Sequence, residues 1–549
     1  MAGGGEIAVG WVDRAANAKG LDHLGSVAPC IAIYSALLPG MTNVTDRARY
    51  YSFYPWFLWS YEQSGEPLES ARFHELFRRA DCLFTLIAEY HGTVSTDSSA
   101  SHGGAMVGGR KLIPALAGLH HNKALSLSEF STQEANGSRY FQNRLGGLGQ
   151  YYLGTLEGLG VLTGRNGDFV QYDPVLGPEI AKRFDSGVPA KKFWSTLSRD
   201  TVTTTTLTSL AAFCPCQLSN NVPEHSWLAD LFFGRSPSDD VDADRRRRSL
   251  GLILHLTREI ASDPDAAIDV NTFRNSCYSR SLPNGKPWNL PDNLSEARDH
   301  WRLYVRNELL SVSVQALLSV FVRALELMPL APRSPNEVTK SLLAAPSLRR
   351  IAKHSWEQFL DDWAKILPDQ SHLLHVSHEL RLIDHLLGVD TAASSWTELS
   401  GVAKGVLSVL AALVLRTDSA QPPYGSLPVT QAFLADYPIN LAAFTQNIAL
   451  WQDMDIRGVV EWLVREWTCE AHLRIALRKL RIEHNDTFTF YPTEAGLMPR
   501  QVPPFAHSNP RVRNALQILR DIGALRADTN GRLQITENGS GWLEEVCQS

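Results

Sequence analysis

The sequence predicts a mainly α, multidomain protein of helical bundles with one or two winged-helix-like modules carrying small β-hairpins. Three observations predict it. At 549 residues the chain exceeds what one hydrophobic core organises, so roughly two to four domains are expected. Its apolar share of 44% and charged share of 20% belong to a folded globular chain, not a disordered one. Most segments repeat apolar residues every three or four positions, the period of a half-buried helix. Composition shifts and connectors divide the chain into a helical domain at 1–125, a winged-helix-like module at 126–190, a helical domain at 191–450, and a long helix plus winged-helix module at 451–549.

The first strong element is PGMTNVTDRARYYSFYPWFLW at 39–59. Asn43 is placed to cap a helix, and Asp46 follows where a carboxylate favours the N-terminus. Tyr51, Phe53, Tyr54, Trp56, Phe57 and Trp59 then point all round the helix, which predicts burial. Pro55 removes the hydrogen bond from the Tyr51 carbonyl and predicts a kink. Arg47 and Arg49 lie at the edge of this core or are paired within it. The rival reading stacks bases on exposed rings and sets the two arginines on phosphates.

An amphipathic helix follows at 69–91, with Phe73, Leu76, Phe77, Ala80, Leu83, Phe84 and Ile87 on one face. Similar patterns predict helices at 245–262, 295–328, 355–366, 371–387, 401–416 and 456–482. Small, polar, Gly-rich stretches predict loops at 95–109 and 234–244, and Pro-rich connectors fall at 282–293, 329–336 and 421–428. DTFTFYP at 486–492 alternates as a strand does.

An internal repeat relates LGTLEGLGVLTGRNGDFVQY at 153–172 to LQILRDIGALRADTNGRLQI at 516–535. Each copy reads as an amphipathic helix, a glycine suited to a left-handed C-cap (Gly160, Gly523), and a hairpin turning at Asn-Gly. A helix followed by a β-wing resembles the second half of a winged helix.

The C-terminal copy carries the candidate nucleic-acid interface: Arg511, Arg513 and Arg520 on its helix, and Arg474, Arg478 and Arg481 as a stripe on the preceding one. Residues 456–526 hold 11 Lys or Arg against 7 Asp or Glu, a net +4 in a chain of net −6, so the remainder carries −10. That asymmetry favours a local phosphate-binding face over general coating of nucleic acid. The bland alternative is a solvated helix face paired with Glu470 and its neighbours. The first copy has only Glu157 on the matching helix and reads as a packing or partner-binding module.

Other motifs are incomplete. In SHLLHVSHELRLIDHLL, His375 and Glu379 share a helix face, but Leu382 replaces the second histidine of H-E-x-x-H. GGAMVGGRKL at 103–112 lacks the hydroxyl and displaces the lysine of a phosphate loop. Arg349 with His354, and Arg478 with His484, match the spacing of helical ribonucleases without the remaining residues. In DRRRRS at 244–249 the arginines follow Asp239, Asp240, Asp242 and Asp244 and read as charge compensation at a helix start. Cys214 and Cys216 are two apart, a poor disulfide and half a metal site. No metal and no cofactor are expected.

Seven scattered cysteines with no C-x-x-C pair predict reduced, cytoplasmic usage. The start MAGGGEIAVG lacks a basic stretch before an apolar core, so no signal peptide is expected. The most apolar stretches, 309–322 and 406–415, fall short of the ~20 residues of a membrane span, and no membrane partner is expected.

Gly10-Trp11-Val12-Asp13, then Leu38-Pro39-Gly40, Thr45, Arg47, Arg49-Tyr50, Phe53 and Pro55-Trp56, resembles the N-terminus of an uncharacterised bacterial family. Its members share a Gly-Trp-x-Asp start and a Pro-Gly…Thr-x-x-Arg-Tyr-x-x-Phe helix. The resemblance covers about 50 residues and implies a setting near phage-defence genes, with no catalytic residues carried over. The expected function is a non-catalytic nucleic-acid-binding or adaptor subunit of a bacterial anti-phage system. Its partners would be nucleic acid, with DNA the expected form, held by the C-terminal region, and protein subunits encoded nearby. The alternatives are a nuclease effector with no visible motif, and a protein scaffold.

Overall fold

The computed structural model describes residues 22–44, 47–96, 102–104, 106–119, 124–167, 169–234, 241–388, 395–417, 437 and 439–548. The Gly-Trp-x-Asp start, Thr45, Asp46 and the connector at 421–428 lie outside them. The described residues are mainly helical, with four two-stranded antiparallel sheets. By contacts the chain forms two compact units, each discontinuous in sequence: Met1–Cys30 with Arg306–Ser508, and Ile31–Val305 with Asn509–Ser549.

The unit containing Ile31–Val305 is built on α1 (Tyr50–Gln63) and α2 (Ser70–Val94). Burial of α1 on every side is as its sequence predicts: Tyr50, Tyr51, Phe53, Tyr54, Trp56 and Phe57 are all fully enclosed. Phe53 stacks on Phe84 of α2 with centroids 4.1 Å apart, and Trp56 meets Phe193 and Phe213 edge-on. The helix starts later than the sequence suggested, with Arg49 at its N-cap. Asn43 does not cap it. The Asn43 side chain donates to the Tyr34 hydroxyl (3.2 Å) and accepts from Arg511 (2.6 Å).

Asp81 of α2 sits enclosed in this core and accepts hydrogen bonds from the Tyr54 and Tyr140 hydroxyls (3.0 Å each) and the Gly147 amide (2.9 Å). Burial outweighs these donors and the nearby Arg78 guanidinium, and pushes its carboxyl up to about 6. A carboxyl raised in the folded state binds its proton more tightly there, so stability falls as pH rises from about 4 to about 6. Asp81→Asn should flatten that part of the stability–pH curve, by an amount on the order of 2–3 kcal/mol, measured by urea unfolding at pH 4 and pH 7.

The internal repeat is a matched structural repeat. The first copy is α3 (Leu153–Gly158), β1 (Leu162–Asn166), β2 (Phe169–Tyr172) and α4 (Leu176–Asp185). After α5 (Val222–Phe233), the second is α6 (Val512–Asp521), β3 (Leu525–Ala527), β4 (Leu533–Ile535) and α7 (Glu537–Gln548). Gly160 (φ +69°) and Gly523 (φ +71°) both take the left-handed conformation that ends each helix. The next amide closes each helix onto the same carbonyl position: Val161 onto Leu156, Ala524 onto Leu519. Residue Asp173 or Thr536 then ties each hairpin back and caps the following helix through its side chain.

Helix Val241–Glu259 bears out local charge compensation, with Asp242 paired to Arg245, and Asp244 to Arg247 and Arg248. Arg246 is buried and donates to the carbonyls of Leu231 and Phe232 near the end of α5.

In the other unit, Arg306 donates to the Leu413 and Arg416 carbonyls at the C-terminal end of helix Trp396–Leu415. The strand expected at 486–492 forms only from Phe490, as Phe490–Thr493, and pairs with Gly496–Pro499 in a hairpin. The helix expected at 371–387 begins only at Glu379. Among the described residues, two helices, Asp292–Leu327 and Trp396–Leu415, are long and apolar enough to cross a membrane by length and composition. Their apolar windows are 89% and 67% buried within the fold, as core helices are.

Candidate metal centre

Four side chains that the sequence scatters over 126 positions meet in the unit containing Ile31–Val305. His91 lies in the last turn of α2 and His102 in the loop beyond it. Cys214 and Cys216 sit where two short 3-10 turns, Ala211–Phe213 and Pro215–Asn220, abut. Proline disfavours the helical conformation in the residue before it, so Cys214 stays extended (φ −57°, ψ +137°) while Cys216 enters the turn. Glycines let the His102 loop approach α2. A Cβ on Gly92 would stand 3.2 Å from that of His102, and one on Gly103 would strike the Glu89 carboxylate, which accepts the Gly104 amide (2.9 Å).

The ligand atoms converge to within 4.8 Å of one another. The two Nδ1 atoms of His91 and His102 are 3.1 Å apart, and the two sulfurs 3.3 Å apart. Cys216 Sγ lies 3.3 Å from His91 Nδ1, and Cys214 Sγ 3.8 Å from His102 Nδ1. A tetrahedral zinc ion with Zn–S near 2.3 Å and Zn–N near 2.0–2.1 Å has ligand–ligand edges of about 3.3–3.8 Å. The four edges run from 3.1 to 3.8 Å, with the sulfur pair, at 3.3 Å, tighter than the ~3.8 Å that two Zn–S bonds would set. Four lone-pair donors so close repel one another unless protons or a cation lie between them.

The sulfur chemistry fits the same reading, because the thiolate is the ligating form. Cys216 is pushed down, first by its hydrogen bond with Cys214 (3.3 Å), then by the Gln217 side-chain amide, which donates to it (3.3 Å), and by the imidazoles of His102 and His91. Cys214 is pushed up in turn by that same hydrogen bond and by burial.

Two buried arginines fix the ligand-bearing backbone. Arg47 donates to the carbonyls of His102 (2.6 Å) and Gly103 (3.0 Å) and pairs with Asp521 (2.9 Å). Arg49 donates to the carbonyls of Cys214 and Ala212 (2.6 Å each) and forks onto Glu224 of α5 at 2.9 and 3.2 Å. Ser52 and Asn221 satisfy the same carboxylate. Arg47 and Arg49, singled out from sequence beside the aromatic helix, thus hold one half of the cluster each. Both side chains are enclosed, 1% and 0% exposed, and so are turned away from any phosphate in solvent.

The six arginines of the expected nucleic-acid interface divide differently. Arg474 and Arg481 are exposed on helix Ala471–Glu483, whereas Arg478 stacks on Tyr437 at 4.7 Å and donates to its hydroxyl. Leu477, Leu480 and Ile482 are exposed on that helix too. Arg513 is exposed on α6, and Arg520 is half-buried beside Gln517. Arg511 faces inward, donating to Asn43 and to the Leu38 carbonyl (2.9 Å) near the Tyr34 ring. Its guanidinium is committed to the fold.

The remaining motifs find structural uses. His378 is buried, with Nε2 at the Gln370 carbonyl (3.2 Å) and Nδ1 accepting the Leu380 amide (3.2 Å). His375 lies before the helix that Glu379 begins, so the two share no helix face. In GGAMVGGRKL, Val107 is buried and held by Tyr50 and Thr85. His484 ends helix Ala471–Glu483 in the left-handed conformation (φ +53°).

Sequence reasoning reached Cys214-x-Cys216 but neither histidine. His91 and His102 are eleven apart, outside the three-to-five spacing that marks paired histidine ligands, and 112 residues separate His102 from Cys214. No protein-family model, curated protein or solved structure matches the chain.

Proposed function

We propose that this chain is a non-catalytic binding protein whose aromatic core is locked by a zinc-type ion on His91, His102, Cys214 and Cys216. The convergence of two imidazole nitrogens and two sulfurs close to tetrahedral edge lengths carries the reading. A four-ligand Cys2His2 set leaves no position for substrate, so the role it supports is structural rather than catalytic. The purified full-length chain should hold about one zinc per molecule by elemental mass spectrometry. Cobalt exchanged for it should give the visible absorption of a tetrahedral thiolate site. Zinc contents that are the same for the wild type and the His91→Ala, His102→Ala and Cys216→Ser variants would refute the assignment.

A nucleic-acid role is the second reading, favoured by the exposure of Arg474 and Arg481 two turns apart on one face of a single helix and of Arg513 on α6. In the setting implied by the N-terminal resemblance, the chain would serve as a nucleic-acid-binding or adaptor subunit beside defence proteins encoded nearby. Arg474→Ala with Arg481→Ala should weaken DNA binding alike across sequences and flatten its dependence on salt, read by fluorescence anisotropy. Arg511→Ala belongs outside that test, because its loss perturbs the fold. An absence of DNA or RNA binding by the wild type at low salt would discard this reading and leave the scaffold role.

A further inference from the structure

We infer that the metal centre seats the C-terminal helix–hairpin–helix, Val512–Gln548, against the body of its unit, so that metal occupancy controls whether this segment is docked. The inference rests on the metal reading above and adds what the ion governs.

Three attachments hold α6, two of them at its C-terminal end. Asp521 Oδ2 accepts from Arg47 Nε (2.9 Å) and from the Ala48 amide (3.0 Å), and both side chains of the ion pair are 1% exposed. The same Arg47 guanidinium holds the carbonyls of His102 and Gly103, so one buried cation joins a metal ligand to α6. The Ile522 carbonyl, one residue on, is bonded by His225 Nε2 (2.7 Å). His225 follows Glu224, the carboxylate that anchors Arg49 on the Cys214 carbonyl. The short turn Pro215–Asn220, which carries Cys216, packs directly on α6.

The Asp521 attachment thus runs to a metal ligand through Arg47 alone, the Ile522 attachment through His225, its chain neighbour Glu224 and Arg49, and the third is the cysteine turn itself. An ion that fixes the His102 loop and the cysteine turn fixes the seat of α6. Its removal frees both pieces of backbone together, and leaves Arg47 buried with its acceptors displaced. The segment so held is also the one that brings the chain back to this unit after residues Arg306–Ser508. Hairpin β3–β4 and α7 follow α6 directly, and the Val546 carbonyl of α7 accepts from Asn293 (2.6 Å).

Hydrogen–deuterium exchange on the full chain tests the link. Zinc-loaded protein is compared with chelator-treated protein and with the same protein given zinc again. Peptides from 512–548 should exchange about tenfold faster without metal and recover on reloading, while the β1–β2 hairpin peptides change little. Asp521→Asn should retain zinc yet show the faster exchange of 512–548, since it breaks the relay and spares the ligands. A zinc-loaded chain whose 512–548 protection survives chelation overturns the linkage alone. Equal exposure of 512–548 and the β1–β2 hairpin on chelation also overturns it, in favour of general unfolding. A chain that holds no zinc by elemental analysis overturns the linkage together with the metal reading.

Discussion

Cys214→Ser is expected to strip the ion and lower the melting temperature of the chain by roughly 10 °C. The size follows from linkage. A ligand present at about a thousand times its dissociation constant adds about 4 kcal/mol to the state that binds it. In domains of a few hundred residues each kcal/mol moves the midpoint by about 2–4 °C. Serine keeps the shape of cysteine but offers a poor ligand atom. Cys214 is itself buried, and its neighbours Phe213 and Pro215 are enclosed in the core, so the loss is transmitted directly to packing. Differential scanning calorimetry with and without chelator checks it: wild type should fall to the variant's midpoint in chelator, and the variant should not respond. A chelator-insensitive wild type would contradict the assignment.

The sequence carried the helical class and many element boundaries because both depend on local period. The all-round aromatic character of residues 51–57 predicts a buried helix, and that helix is buried. Local glycine and Asn-Gly chemistry predicted the two hairpins at 162–172 and 525–535, and both form. Asn43 does not cap the helix because its side chain is taken by Tyr34 and by Arg511, the second of which lies 468 residues away, outside any local window. The helix at 371–387 failed for a related reason. His378 is drawn inward to the Gln370 carbonyl, which keeps residues before Glu379 in turns despite their apolar spacing. The metal cluster was hidden most fully. Its ligands come from a helix, a loop and a pair of short turns, and they become neighbours only after α2 and the Ala211–Asn220 segment pack together. The sulfur pair alone was legible, since two residues apart is close enough to see in a line of text.

Arg49→Met should cost about 3–5 kcal/mol of stability and weaken zinc binding by about 10–100-fold. Arg49 is fully enclosed, and so is Glu224, so removing the arginine leaves a buried carboxylate with only Ser52 and Asn221 to serve it. The same change removes the one nitrogen, Nη1, that donates to both the Ala212 and Cys214 carbonyls, which frees the cysteine turn. These two losses separate experimentally. Arg49→Met with Glu224→Leu removes the stranded charge and should recover much of the stability, because an apolar pair of similar volume can replace a buried ion pair at little cost. It restores no donor to the Cys214 carbonyl, so zinc affinity should stay low. Arg49→Lys should rescue neither property well, since one ammonium cannot reproduce a guanidinium that meets a carboxylate with two nitrogens and two carbonyls with a third. Urea unfolding and competition with a zinc-binding dye measure the two properties on the same samples. If stability and zinc affinity recover together in the double variant, Arg49 acts only by neutralising Glu224, and its hold on the Cys214 carbonyl is incidental to the metal centre.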